Sequence, residues 1–317
     1  MTEGVYLAAL LAPFQPWLER DDVTEIMVNR PGEAWIETSG AAGLQREPAP
    51  AIDDRLIEQL AYQIARETHQ GINRERPVLA ATLPDGARIQ IIAPPATPRH
   101  WCLAVRRHRL RDVPLSDFAA GPVTPPARPV FRRAEALRDP VGFLAEAVAA
   151  RATILVSGGT SSGKTTFLNA LLGLVPADER VIVVEDTPEV RLRHANAVQL
   201  VAVKGEMGEA RLSTNDLLQA SLRMRPDRIV LGELRGEEAV SFLRAINTGH
   251  PGSVSTIHAN SPAAALEQLA LMVMQAGLGL SHDETITYAR SVIDVVVQLD
   301  RSGGRRQVSD LLICAGD

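Results

Sequence analysis

Nine consecutive residues, Gly158-Gly159-Thr160-Ser161-Ser162-Gly163-Lys164-Thr165-Thr166, follow the spacing G-x-x-x-x-G-K-T. Glycines at 158 and 163 are expected to take positive φ and let the backbone approach an anion closely. The N–H groups of such a loop point inward, and a helix starting at its end aims its positive pole at the same spot. Lys164 is placed to reach the β- and γ-phosphates of ATP, and the Thr165 hydroxyl to hold a magnesium ion. Lys164 and Lys204 are the only lysines in 317 residues, so a chance placement at this position is improbable.

Gripping a triphosphate is not hydrolysing it. Hydrolysis needs a metal ligand, a group that orients water and late neutralisation of charge. Acids stand at the ends of two apolar runs: Val181-Ile182-Val183-Val184 leads into Glu185-Asp186-Thr187-Pro188-Glu189, and Arg228-Ile229-Val230-Leu231 into Gly232-Glu233-Leu234-Arg235-Gly236. The aspartate that usually binds magnesium after the second run is missing, with Gly232 in its place. Glu233 is therefore expected to orient water or to reach the metal indirectly. Glu185 and Glu189 supply the other acidic groups, Glu185 with Thr165 at the magnesium. A third stretch, Thr248 to Asn260, contains His250 and His258. Both imidazoles are expected near one sheet edge, where one can sense the γ-phosphate.

Strands and helices must position these groups. The β-branched run 152–157 before the glycine loop reads as a buried strand, and 167–172 opens a helix ending near Gly173 and Pro176. Further strands are expected at 180–185, 228–232 and 253–258, alternating with helices in a parallel sheet. A helix over 283–291 and a hairpin made of 294–299 and 307–313 close the chain. Upstream, 23–28 and 34–37 read as strands joined by Asn29-Arg30-Pro31-Gly32, and 78–83 and 88–93 as strands around Pro84-Asp85-Gly86. Residues 100–108 form a further strand, and Asp53 or Asp54 caps a helix carrying Leu56, Leu60 and Ile64. Residues 5–19 carry an apolar helical stripe interrupted by Pro13 and Pro16. The resulting division is 1–112, a smaller N-terminal α+β domain; 113–139, a Pro-rich linker; and 140–317, an α/β domain with the glycine loop. Six prolines in 113–140 argue for extended chain there.

Bulk properties narrow the class. A net charge of −5 gives no general attraction for nucleic acid, and direct nucleic-acid binding is not expected. Nine arginines against three acids between Arg99 and Arg138 read mostly as a solvated face. Cys102 and Cys314 alone offer neither a disulfide framework nor a four-thiolate zinc site, and they fit a reducing cytosol. No apolar stretch approaches a membrane span, and the acidic start does not read as a cleavable signal.

Four of these stretches together, G-G-T-S-S-G-K-T-T, V-I-V-V-E-D-T-P-E, M-R-P-D-R-I-V-L-G-E-L-R-G and G-H-P-G-S-V-S-T-I-H-A-N, resemble the boxes of the type II/IV secretion traffic ATPases. The first domain resembles the VirB/TrbB-type subgroup, through Thr24 to Glu33, Leu83 to Gln90 and Ala104-Val105-Arg106-Arg107. The resemblance implies a RecA-like P-loop ATPase domain and a homo-oligomer, a hexamer. It would lie on the cytoplasmic face of the bacterial inner membrane, with inner-membrane components of a secretion machine as partners. It also implies nucleotide between the two domains, with Arg88 and Arg106 reaching the phosphates from the first domain, within a subunit or across to a neighbour. Arg107 is a near-equal candidate, and Arg132 and Arg133 follow. Closure of the domain pair about the Pro-rich segment would transmit force. Alternatives are a pilus-assembly or Tad-type secretion ATPase, a RecA-like nucleic-acid motor and a non-catalytic nucleotide-gated assembly protein.

Overall fold

The computed structural model describes residues 3–41, 43–107, 114–115, 131–203 and 210–314. Lys204 and most of the Pro-rich stretch lie outside them. Two lobes, each built on one sheet, organise the chain.

The first sheet is antiparallel throughout. Its strands are β1 (Val23–Val28), β2 (Gly32–Thr38), β3 (Gln45–Ala49), β4 (Val78–Thr82), β5 (Arg88–Ile92) and β6 (Cys102–Arg106), in the order β3-β2-β1-β6-β5-β4. Alternation along the strands decides what each face touches. Ile26, Val28, Ile36, Leu103 and Val105 pack with α3 (Asp54–Glu67), whose buried stripe is Ile57, Leu60, Ala61 and Ile64. Asp53 caps that helix by accepting from the Leu56 N–H at 2.7 Å. Before the sheet, α1 (Glu3–Leu11) gives way to a 3₁₀ turn and then α2 (Gln15–Leu18), with the break at Pro13 and Pro16. On the opposite face, Met27, Trp35, Ile92, Cys102 and Ala104 join a core with Val198, Leu200, Leu217 and Leu218 of the second lobe. Both faces of the first sheet are therefore buried.

The connection enters the second lobe through α4 (Arg133–Arg138) and α5 (Pro140–Ala149). Residues 133–138 are helical rather than extended: Arg133 donates to Leu311 O at 3.0 Å and pairs with Asp310 at 2.9 Å, so tertiary contacts override the proline-rich context. The second sheet has the order β13-β12-β7-β11-β10-β8-β9. Its members are β7 (Ile154–Gly158), β8 (Val181–Glu185), β9 (Ala197–Val201), β10 (Arg228–Leu234), β11 (Val254–Ile257), β12 (Val295–Ser302) and β13 (Arg305–Ile313). All neighbours are parallel except β12 and β13, which form the expected closing hairpin. Helices α6 (Lys164–Leu172), α7 (Thr214–Ser221), α8 (Glu238–Asn247), α9 (Pro262–Gln275) and α10 (His282–Val292) cover the sheet. Side-chain caps by Ser213, Ser261 and Ser281 start α7, α9 and α10. Strands β3 and β9 had no clear sequence signal. Both are edge strands: β3 is mostly exposed, with only Ala49 buried, and carries Pro48, while β9 alternates half-buried with buried positions.

Candidate active site at the carboxyl edge of the parallel sheet

Strand β7 is an interior strand, and the glycine loop at its carboxyl end lies where ligands bind in open α/β sheets. Gly163 takes φ +96°, the left-handed region, as expected. Gly158 does not; it ends β7 in ordinary strand geometry, and its glycine requirement is steric. A Cβ there would lie 2.4 Å from Ser162 Oγ and 3.0 Å from Leu299 O. The left-handed residue inside the loop is Ser161, at φ 63°. Helix α6 begins on Gly163 without a capping side chain, which leaves its first N–H groups open to a ligand.

Lys164 folds back over this loop. Its ammonium donates to Gly158 O at 2.9 Å and Gly159 O at 3.2 Å, and lies 3.3 Å from His258 Nδ1. Burial pushes its pKa below the ordinary lysine value, with Glu233 opposing that shift. A half-desolvated cation among loop N–H groups is a site made for an anion.

Glu233 reaches the cavity through a bulge. Pairing of β10 with β11 runs Leu231↔Ser255 and then Leu234↔Ile257, so three residues on β10 span two on β11. The extra residue re-aims Glu233 toward the loop. Gly232 fits the same logic: a Cβ there would crowd the neighbouring strand's glutamate, at 3.1 Å from Glu185 Cγ, so an aspartate at this position would have to push Glu185 aside. Glu233 accepts from, or pairs with, His258 Nε2 at 2.7 Å and is held on its other side by Arg235.

The two remaining acids divide differently from expectation. Glu185 is buried and turned inward, accepting the Glu189 N–H at 3.0 Å, the Val190 N–H at 2.8 Å and Gln199 Nε2 at 2.7 Å. It shapes the 186–190 loop. Glu189 is the carboxylate at the Thr165 hydroxyl, which donates to it at 2.9 Å. That hydroxyl and carboxylate form a hard-oxygen pair suited to magnesium, and of the two acids Glu189 fits the ion better than Glu185. Thr160, Ser161, Gly163, Lys164, Thr165, Thr166, Glu185, Glu189, Glu233 and His258 line one cavity of about 450 Å³, with Arg235 and Arg306 beside them. Gly159 and Ser162 belong to the loop itself.

His250 and the arginines named from sequence are elsewhere. His250 precedes β11 and His258 follows it, so four strand residues, about 13 Å, put the imidazoles at opposite ends. His250 hydrogen-bonds Ala245 O at 2.9 Å. It lines a second cavity, of about 620 Å³, with Arg88, Arg106, Glu25, Glu37 and Arg225. No residue is common to the linings of the two cavities, and every described residue lining the P-loop cavity belongs to the second lobe. Within one chain, neither arginine reaches the loop and nucleotide would not lie between the lobes. The physical reason is the docking: the first lobe packs on the β9 side, four strands from β7, and at the amino ends of β8 and β10. Arg107 is structural, its guanidinium donating to Trp17 O and Arg20 O. Arg132 pairs with Glu135 at 4.0 Å.

Arg235 and Arg306 escaped the sequence reading. Arg235 stands two residues after Glu233 and pairs with Asp186 at 3.1 Å, a spacing that could have drawn notice. Arg306 comes from the distant hairpin, and nothing local marks it.

A mostly parallel sheet with a glycine loop at the end of an interior strand, a lysine folded over that loop and a glutamate delivered from two strands away define a RecA-like P-loop ATPase. The profile of the family described as type II/IV secretion system protein matches residues 9–303. The type IV secretion system protein PtlH of Bordetella pertussis is 42% identical, over 95% of this chain and 93% of the relative. VirB11 of Bartonella henselae is 34% identical, over 95% and 91%. The crystal structure of the VirB11 ATPase from the Brucella suis type IV secretion system in complex with sulphate superposes with a TM-score of 0.88 at 34% identity, covering 98% of this chain and 95% of that one. The chain belongs to the type II/IV secretion ATPases, in their VirB-type subgroup.

Proposed function

We propose that this ATPase works as a homohexamer on the cytoplasmic face of the bacterial inner membrane and powers transport through a type IV secretion or conjugation machine. Convergence of Lys164, Glu233 and His258 in one cavity carries the catalytic part of the reading. In it, Lys164 leaves the Gly158 and Gly159 carbonyls for the β- and γ-phosphates of ATP. The Thr165 hydroxyl and Glu189 hold magnesium, which when bound neutralises charge on the phosphate oxygens. Glu233 orients the attacking water, and His258 holds Glu233 in place while facing the γ-phosphate. Exposed Arg88 and Arg106, turned away from their own chain's loop, supply late positive charge to a neighbouring subunit's nucleotide. Residues 113–139 join the two domains, 1–112 and 140–317.

The test mixes two inactive chains. Lys164→Ala is expected to lose nucleotide binding, and Arg88→Ala with Arg106→Ala to bind ATP without turning it over. Rings assembled from both recover part of the activity if the arginines act across subunits. A mixture as dead as its parts, or a Lys164→Ala chain that hydrolyses ATP normally, would overturn the reading.

A further inference from the structure

Arg306, on the outer strand of the closing hairpin, lies across the glycine loop. A Cβ on Gly163 would meet its Cδ at 2.6 Å and its Nε at 3.2 Å, so the side chain occupies the space that this glycine leaves open. Its guanidinium approaches the Thr166 hydroxyl at 3.5 Å. Among the described residues it has no carboxylate partner, although Glu185, Glu189 and Glu233 line the same cavity. Arg235, the other guanidinium there, is held by Glu233 and Asp186. Arg306 is thus an unneutralised planar cation over an anion-binding loop.

Its position along the loop says which part of a nucleotide it faces. Lys164 and Thr165 mark the β- and γ-phosphate end. Thr166 stands one residue further into α6, at the junction with a groove of about 1040 Å³ that runs along that helix past Asn169, Arg191 and His194. The two cavities share Thr165, Thr166 and Glu189. A triphosphate seated on the loop would send its α-phosphate and nucleoside through that junction.

We infer that Arg306 is a nucleotide-binding residue, closing over the α-phosphate as it passes from the P-loop cavity into the groove beside α6. The closing hairpin is thereby a cover for the site, and Gly163 is glycine partly to let that cover lie flat. Because the α-phosphate is common to ATP and ADP, Arg306 holds both equally and does not discriminate the γ-phosphate. The inference rests on nucleotide occupying the P-loop cavity, and the experiment keeps the two apart.

The full-length chain is titrated calorimetrically with ADP and with a non-hydrolysable ATP analogue, in wild type, Arg306→Ala, Arg306→Lys, Arg305→Ala and Lys164→Ala. Arg306→Ala is expected to weaken both nucleotides by a similar factor, about fivefold or more, and to raise KM with kcat little changed. Arg306→Lys recovers part of that loss by keeping the charge. Arg305→Ala, whose side chain points to the other face of the strand, stays at the wild-type value. Unchanged affinity in Arg306→Ala, with binding lost in Lys164→Ala, would sink the inference alone. A loss confined to the ATP analogue would place Arg306 on the γ-phosphate and overturn it as well. Normal binding by Lys164→Ala would remove the reading of the cavity itself.

Discussion

His258 Nε2 lies 2.7 Å from a Glu233 carboxylate oxygen, and the same imidazole is 3.3 Å from the Lys164 ammonium. One ring therefore ties the acid from β10 to the cation of the loop, although 69 residues separate Glu233 from Lys164 in sequence. Glu233→Gln keeps a hydrogen-bonding group in this place but removes the negative charge. It is expected to bind ATP normally and to slow hydrolysis at least about tenfold, or ~1.4 kcal/mol of barrier. Steady-state turnover checks this; a wild-type rate would shift the water-orienting role to another carboxylate.

Glu185 and Glu189 separate into a loop-building acid and a metal-facing one. Glu189→Gln is expected to raise the magnesium concentration for half-maximal turnover several-fold while leaving the fold intact. Glu185→Gln sets an amide N–H₂ against donors and is expected to cost about 1–3 kcal/mol of stability. Magnesium titration of turnover and denaturant unfolding read the two effects. The opposite pattern would restore Glu185 as the magnesium ligand.

Arg180 fastens the lobes together. It is fully buried, donates to Asn29 of the first lobe at 2.7 Å, to Asn196 at 2.5 Å and to Met224 O at 2.9 Å. Burial pushes its pKa down to about 10, still charged at neutral pH. Replacement by alanine leaves Asn29 Oδ1 without its donor, though Asn29 still donates to Asn196, and opens a cavity, with an expected loss on the order of 3 kcal/mol. Equilibrium unfolding would show it, and a change within a few tenths would mean that the lobes are held by their apolar contact alone.

Glu25 gives the fold a pH dependence of unusual sign. Burial lifts its pKa to about 7 from 4.5, with Arg106 and Arg225 pulling it back and Glu37 adding to the rise. Between those values the folded chain binds more protons than the unfolded one, so this residue's contribution falls as pH rises from about 4.5 to 7. The loss is at most about 3 kcal/mol, complete above pH 7 and absent below 4.5. Glu25→Gln should therefore flatten the pH profile of the unfolding midpoint and leave the chain more stable at pH 8. A variant with the wild-type slope would acquit Glu25.

The loop was legible because its chemistry is local: nine adjacent residues specify the nest, the lysine and the hydroxyl, and flanking apolar runs specify strand and helix. The strands that carry Glu185 and Glu233 and the strand that leads into His258 were legible for the same reason, as β-branched runs ending in polar residues. What failed depended on neighbours remote in sequence. Gly232 looked like a missing aspartate until Glu185 was seen against it, and Gly158 looked like a turn glycine until Ser162 was found in the space of its absent side chain. His250 and His258 share one short segment, yet a strand fits between them. Arg88 and Arg106 were placed correctly on β5 and β6 or at their ends, but which way the first lobe faces is set by Met27, Trp35 and Arg180 meeting partners more than 100 residues away.

The shared core beneath the first sheet limits how this motor moves. Prying one chain's lobes apart would expose Met27, Trp35 and Ile92 to water and strip Arg180 of Asn29, on the order of 5–10 kcal/mol before any useful displacement. A protomer of this build travels as a single rigid block, so in the proposed hexamer a power stroke would be taken up at the seams between adjacent copies.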